Sequence, residues 1–255
     1  MRIALIVETF LASAGGREAA CVQIASCLVR AGHEVTVLCR QGGSEIDGVR
    51  CEVLGSRGAS RPSRLGHFVA DVQSRLEAGG YDISHAVLPV PGTDVYQVRG
   101  GTIPGQLAAR ARRGPLAWLR TRALAGANRT RAVRARLERE VLADPDTWIL
   151  PLSDMVAREV TEHFGRVERV QTVFNGVGIP NADAAAREHW RQELRYRLEV
   201  GPDDVVFLTA AKNFPLKGVN ETIRGFARVC AGRRGSNDRL LVIGRAMAEG
   251  DQRQA

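Results

Sequence analysis

The sequence predicts an α/β protein built on a parallel sheet with helices packed on its faces. Three observations predict it. Short apolar runs recur along the chain without polar interruption, as in strands covered on both sides. Stretches with helical spacing of apolar residues separate those runs, and glycine-containing turns mark each change from one to the other.

The first segment holds a whole β–α–β unit. IALIVET (3–9) is a strand, ASAGG (12–16) a glycine loop, and REAACVQIASCLVRAG (17–32) a helix with apolar residues at 20, 24, 27, 28 and 31. Gly32 ends that helix, and HEVTVLC (33–39) is the second strand. CEVL (51–54) is a short third strand, followed by a helix over 64–78 and a strand in YDISHAVLP (81–89). Residues 104–140 form a long helical region with breaks at Gly114-Pro115 and near Gly126. TWILPLS (147–153) and RVQTVFN (169–175) are further strands around a helix at 154–164.

Residues 181–202 change character, with a charged helix that ends in Gly-Pro-Asp-Asp. Beyond it come a strand at 205–211, a helix at 218–231 and a strand at 239–243. The expected organisation is therefore a complete Rossmann-like domain over 1–178, a linker over 179–202, and the start of a second domain over 203–255. Near-continuous apolar strands with one crossover helix leave a face uncovered, so apolar surface is expected near Val205, Phe207, Leu241 and Ile243.

The bulk properties narrow the function. The chain has 255 residues, 44% hydrophobic and 25% charged, as in ordinary globular proteins. The five cysteines form no CxxC pair, which points to reduced, mostly buried thiols in a cytosolic protein. The apolar start MRIALIVETF is too short for a signal peptide, and no run is long enough to span a membrane. The sequon at Asn128 is accordingly a chance match. A formal charge of +8 calls for an anionic partner.

Several stretches carry candidate chemistry. Gly15, Gly16 and Arg17 lie between strand and helix, where ligands of open α/β sheets bind; the spacing is not GxGxxG, and no acidic residue closes the second strand. A plain tight turn is the alternative. In PGTDVYQVRGGTIPG (91–105), Asp94, Gln97 and Arg99 offer carboxylate, amide and guanidinium groups suited to a polyhydroxyl ligand with a charged end. A solvated loop is the competing account. His85 fits a core histidine better than a catalyst, and Asp144-Pro145-Asp146 fits a turn better than a metal site; no metal is expected.

Residues 110–139 contain ten arginines and one acidic residue, Glu138, interleaved with Trp118 and leucines. Arg112, Arg113, Trp118 and Arg120 would face an anionic membrane surface. An ordinary solvated helix with buried leucines is the alternative. Nucleic acid is not favoured, because no RNA-binding or finger motif accompanies the charge. KNFPLKGVNET (212–222) sets Lys212, Lys217 and Gly218 at a strand-to-helix hinge, an anion-site geometry.

Together these segments resemble a GT-B glycosyltransferase of family 4. The similarity is carried by LRYRLEVGPDD (194–204), the Lys212…Lys217-Gly218 hinge, ETIRGFARV (221–229), LLVIG (240–244), the stretch over 13–38 and FNGVGIP (174–180). PGTDVYQVRGG brings it close to the lipopolysaccharide-core glucosyltransferase branch. The resemblance implies a retaining, metal-free transfer of sugar from a nucleotide-sugar to a hydroxyl of a glycolipid or saccharide, in the cytoplasm or at the inner face of the cytoplasmic membrane. It implies that Lys212, Lys217 and Gly218 meet the donor diphosphate, that Gly15, Gly16 and Arg17 face the cleft, and that Asp94 and Arg99 lie on the acceptor side. Gly100 stands where that branch has an acidic residue. The family's paired glutamates, eight residues apart, are expected beyond Ala255, so residues 1–255 are expected to lack turnover. A non-catalytic α/β protein that binds anionic membrane or phosphate is the other function class.

Overall fold

A computed structural model describes residues 1–112, 114, 128–176, 183–211, 213–233, 235 and 237–244. The chain divides into two compact units, Met1–Val177 and Gly178–Ala255.

The first unit is a six-stranded sheet. Its strands are β1 (Arg2–Phe10), β2 (Glu34–Gly42), β3 (Val49–Val53), β4 (Ile83–Ala86), β5 (Val95–Val98) and β6 (Trp148–Pro151). Every pairing is parallel and the order is β3-β2-β1-β4-β5-β6. The chain moves outward from β1 to β3, then returns to lay β4 on the other side of β1. The β1–β4 boundary is thus the switch point, where helices leave toward opposite faces and a crevice opens at the carboxyl ends.

Helices α1 (Gly16–Arg30), α2 (Arg61–Glu77), α3 (Ile103–Ala111), α4 (Arg129–Ala143) and α5 (Asp154–Phe164) cover the sheet. On one face Ala4, Ile6 and Leu38 pack with Leu65, Phe68 and Val72 of α2 and Leu137 of α4. On the other, Leu5, Val7 and Val37 pack with Cys21 and Ala25 of α1. The alternation along β1 shows why its apolar run is unbroken: successive residues point to opposite, equally dry faces. The seam of α1 runs through residues 21 and 25, with 22, 24, 28 and 29 beside it, rather than through 20, 27 and 31. Cys27 and Cys51 are exposed, Cys230 is half-buried, and only Cys21 and Cys39 are buried, which corrects the expectation of mostly buried thiols.

Two strand assignments change. β5 lies inside the stretch expected to be a loop. It follows β4 through only residues 87–94, with no helix between them, although parallel neighbours normally need a longer crossover. Buried Val87, Leu88 and Val90 fill the space a helix would otherwise cover. Residues 169–175 do not form a full strand. Backbone bonds from Gln171 N to Ile149 O and from Val173 N to Pro151 O run along β6, but regular pairing is a single bridge at Val170. Arg169 adopts a left-handed φ of 51° where the segment enters.

The second unit contains α6 (Ala184–Arg197), β7 (Val206–Ala211), a four-residue helix α7 (Phe214–Lys217), α8 (Val219–Gly232) and β8 (Arg239–Gly244). β7 and β8 pair in parallel as a two-stranded sheet. Polar clasps tie the strand starts: Asp238 accepts from Val205 N at 2.7 Å and pairs with Arg233, and Asp204 accepts from Asn237 N at 2.7 Å.

Candidate functional site

The crevice predicted by the strand order is present in the first unit. Glu8 near the end of β1, Val87 and Leu88 after β4, and Arg99 to Gly101 after β5 form its floor. Arg17 enters from the first turn of α1, Gln106 from α3, and Arg134 and Glu138 from α4; the cavity volume is about 130 Å³.

Charge in this crevice is arranged in layers. Glu8 is bridged by Arg134 of α4 and, at 3.7 Å, by Arg40 of β2. Arg17 pairs with its neighbour Glu18 at 2.9 Å. Arg99 is held instead by neutral oxygens, donating to Gln97 Oε1 at 2.9 Å and to Asn175 Oδ1 at 3.0 Å. Burial lowers the guanidinium's proton affinity; Cys21 and Glu18 oppose the change and the nearby Arg17 adds to it.

Glu138 lies deepest, 3% exposed, and accepts a 2.8 Å bond from the backbone N–H of Ile103. Burial pushes its carboxyl up to about 7, with Glu159 adding to the rise against the effect of the Ile103 bond. Glu159 accepts from Thr102 N at 2.8 Å and from Thr102 Oγ1 at 3.2 Å. Two carboxyl groups therefore meet the positive end of α3, which the Thr102 cap and Pro104 begin. The contact leaves no room for a side chain at Gly105, where a Cβ would lie 2.3 Å from the Glu159 carboxyl, and at Gly101, whose φ is 75°, a Cβ would press on it at 3.0 Å. Together these bonds fix the loop that carries Arg99.

His85 lies within β4, and its Nε2 is buried without a hydrogen-bond partner. Burial, reinforced by Arg99, pushes its pKa down to about 4, so the ring is neutral. Burial raises the Tyr96 phenol far above its usual range, with Glu138 adding to the effect. It also raises the Cys21 thiol, although Arg99 and Arg17 oppose that change.

The structure brings Arg17 and Arg99 to one crevice, with Gly15 and Gly16 at the start of α1 beside them. Gly15 is extended and caps α1 without a side chain, and space is open around Gly16. Asp94 does not join them. It precedes β5 whereas Arg99 follows it, so they sit at opposite ends of the sheet. The Asp94 carboxylate accepts from Ser84 N at 2.7 Å and Ser84 Oγ at 2.6 Å, and its own N–H donates back to Ser84 Oγ. This reciprocal clasp between β4 and β5 corrects the pairing of Asp94 with Arg99. Asp144 spends its carboxylate on Asp146 N and Thr147 Oγ1, as its turn requires.

The arginine-rich stretch is not one basic face. Arg134 turns inward to Glu8, while Val133 and Leu137 join the core. Asn128 caps α4 by accepting from Arg131 N. Arg112 is exposed at the end of α3; Arg113, Trp118 and Arg120 lie outside the described residues. Among the described residues no helix is long and apolar enough to cross a membrane, and no cluster has metal-ligand geometry.

In the second unit, the hinge has one more turn than expected. Lys217 is exposed and closes α7, and Gly218 follows with a left-handed φ of 66° before α8 begins. Glycine adopts that angle at little cost. The first turn of α8 has no side-chain cap. Lys212 lies outside the described residues.

Glu8, Arg134, Glu138 and Glu159 were not singled out by their sequence context as site residues. Glu8 carried a usable signal, an acid at the carboxyl end of the first buried strand. Glu138 was visible only as the exception in a basic run.

Three solved structures share this fold. WaaG, a glycosyltransferase involved in lipopolysaccharide biosynthesis, superposes with a TM-score of 0.78 at 22% identity, over 99% of this chain and 66% of its own. Sucrose-phosphate synthase from Thermosynechococcus elongatus gives 0.67 at 14% identity, over 100% of this chain and 66% of its own. Anabaena HepE in complex with UDP and glucose gives 0.57 at 18%, over 100% and 63%. The chain thus spans just under two thirds of the length of these structures. No curated protein sequence matches it. The α/β fold with its six-stranded parallel sheet is that of GT-B glycosyltransferases. By its match over residues 14–179, the chain belongs to Glycosyltransferase Family 4.

Proposed function

We propose that this protein takes part in sugar transfer from a nucleotide-sugar to a hydroxyl acceptor, with retention and without a metal. The observation that carries this is the polar crevice at the β1–β4 switch point of a chain that belongs to Glycosyltransferase Family 4. In this proposal the crevice of the first unit takes the acceptor, a glycolipid or saccharide of the cell envelope. The hinge of the second unit takes the donor diphosphate. Lys217, with Lys212, offsets charge on the leaving diphosphate, and Gly218 lets the backbone approach it. The start of α8, which no side chain caps, leaves backbone N–H groups available for the same anion. In this proposal residues 203–255 belong to the donor-binding domain.

Calorimetric titration of UDP into the 255-residue chain tests the donor half. Lys217→Ala is expected to weaken UDP roughly tenfold, the loss of one charge-assisted bond. Unchanged affinity would remove Lys217 from the donor site.

The basic stretch supports an accompanying reading, docking on an anionic membrane through Arg112, Arg113, Trp118 and Arg120. Each arginine near such a surface contributes about 1 kcal/mol, and salt weakens the effect. Vesicles containing anionic lipid are expected to sediment the chain, while neutral vesicles and Arg112/Arg113/Arg120→Glu do not. Equal binding to both lipids would refute the electrostatic component.

A further inference from the structure

We propose that the acceptor is itself anionic, and that Arg17 and Arg99 bind its phosphate or carboxylate in the crevice of the first unit. This rests on the acceptor role proposed for that crevice and narrows it to a substrate class.

The argument is one of charge and partners. Two of the crevice's arginines are locally neutralised: Arg134 by Glu8, and Arg17 in part by Glu18. Arg99 differs. It is only half-buried, and it donates to two amide oxygens, Gln97 Oε1 and Asn175 Oδ1. These bonds orient a guanidinium without cancelling its charge. The remaining acid of the crevice, Glu138, is engaged at 2.8 Å by Ile103 N, and with a pKa raised to about 7 it is only partly ionised at neutral pH.

Burial and the neighbouring Arg17 both disfavour the charge of this guanidinium, against the opposing effects of Cys21 and Glu18. An anion held by both arginines offsets both effects. Arginine's planar fork suits the paired oxygens of phosphate or carboxylate, and the low-dielectric floor of Val87 and Leu88 strengthens the attraction. Glu8, Glu138 and Gln106 remain along the wall to accept from or donate to sugar hydroxyls. A neutral glycan has no group to match Arg99. That mismatch gives the crevice its selectivity.

The experiment compares a hexose 6-phosphate, a hexuronate and the neutral hexose as ligands of the 255-residue chain, by calorimetry at constant ionic strength. At least one of the two anionic sugars is expected to bind saturably and at least tenfold more tightly than the neutral one. Arg99→Gln and Arg17→Gln should each abolish most of that difference, whereas Arg61→Gln, at the exposed start of α2, should leave it intact. Arg17 is half exposed, so its replacement keeps the fold even where Arg99→Gln perturbs the loop.

Which anionic sugar binds identifies the group. Equal affinity for anionic and neutral sugars overturns the proposal, as does anion binding that survives loss of both arginines. Weakened UDP binding in Arg99→Gln also overturns it, by assigning the arginine to the donor. Failure here with Lys217-dependent UDP binding intact leaves the glycosyl-transfer reading standing. Arginine-dependent anion binding without any UDP binding leaves the anion site and removes the acceptor role.

Discussion

The two units carry strands of similar composition and bury them very differently. Leu5 and Ile6 in β1 are 0% exposed, whereas Leu208 in β7 is 63% exposed and Ile243 in β8 is 52% exposed. IALIVET has five apolar residues of seven and VVFLTAA six, so the difference lies in what surrounds them. β1 has a strand on each side and helices on both faces. Among the described residues β7 has one partner strand and one crossover helix, whose Phe226 meets Phe207 edge-on at 5.6 Å. Phe207 and Val205 are also exposed, as expected from the sequence, while Leu208 takes the place expected for half-buried Leu241. An apolar strand states what the strand can tolerate, and its neighbours decide whether it is covered.

The largest way to break this comparison is to make the same truncation in both strands. Leu5→Ala is expected to cost about 2–5 kcal/mol, through lost transfer energy plus a cavity that rigid neighbours cannot fill. Leu208→Ala is expected to cost less than about 1 kcal/mol, because the side chain is mostly in water already. Hydrogen exchange resolved by segment measures each unit separately, which a single unfolding curve for two units does not. Equal losses in the two strands would show that β7 is covered in solution.

The next effect separates the units by pH. Glu138 has a folded pKa raised from 4.5 to about 7. Its protonated form is favoured by folding, so its contribution is fully present below about pH 4.5 and lost as pH rises through about 7. A rise of this size corresponds to roughly 3 kcal/mol. Glu138→Gln keeps an acceptor for Ile103 N and removes the charge. It is expected to raise stability at pH 8, and to flatten the pH dependence of exchange in the first unit between about pH 4.5 and 7. Exchange in the second unit should not change. An unaltered pH profile would mean that Glu138 is not the titrating group.

The fold was largely legible in the sequence because parallel strands and their helices leave strong local patterns. The helix over 154–164 begins after Ser153, whose side chain accepts from Val156 N, and ends at Gly165 with a left-handed φ of 66°; both signals are local. β5 was hidden because VYQV is four residues long and no helix separates it from β4. RVQTVFN misled because alternation is necessary for a strand but pairing depends on a partner, and β6 is itself only four residues long. At the site, Arg17, Arg99 and the glycine loop were legible from their position after strands. Asp94 was placed wrongly because sequence proximity to Arg99 does not tell which end of the intervening strand each occupies. Arg134 and Glu138 come from a helix distant in sequence, so only the tertiary fold brings them to β1 and α3.

The smallest effect marks where the comparison between units should cease to matter. Arg136–Glu140 on α4 and Glu193–Arg197 on α6 are both pairs four residues apart. Their side-chain exposures are nearly the same, 68% and 49% in the first and 70% and 46% for Arg197 and Glu193 in the second. Water screens such pairs whatever lies beneath the helix, so core quality drops out and only helix geometry remains. That geometry favours α6. Glu193 precedes its basic partner, and Arg197 sits in the last turn near the negative end of the helix, whereas α4 has the reverse order. Double-mutant cycles are expected to give about 0.5 kcal/mol for Glu193–Arg197 and about 0.2 kcal/mol for Arg136–Glu140. Both couplings should fall with added salt. A coupling several times larger on α4 would mean that the packed first unit strengthens even its surface pairs, and that burial in the sheet reaches the solvent face of its helices.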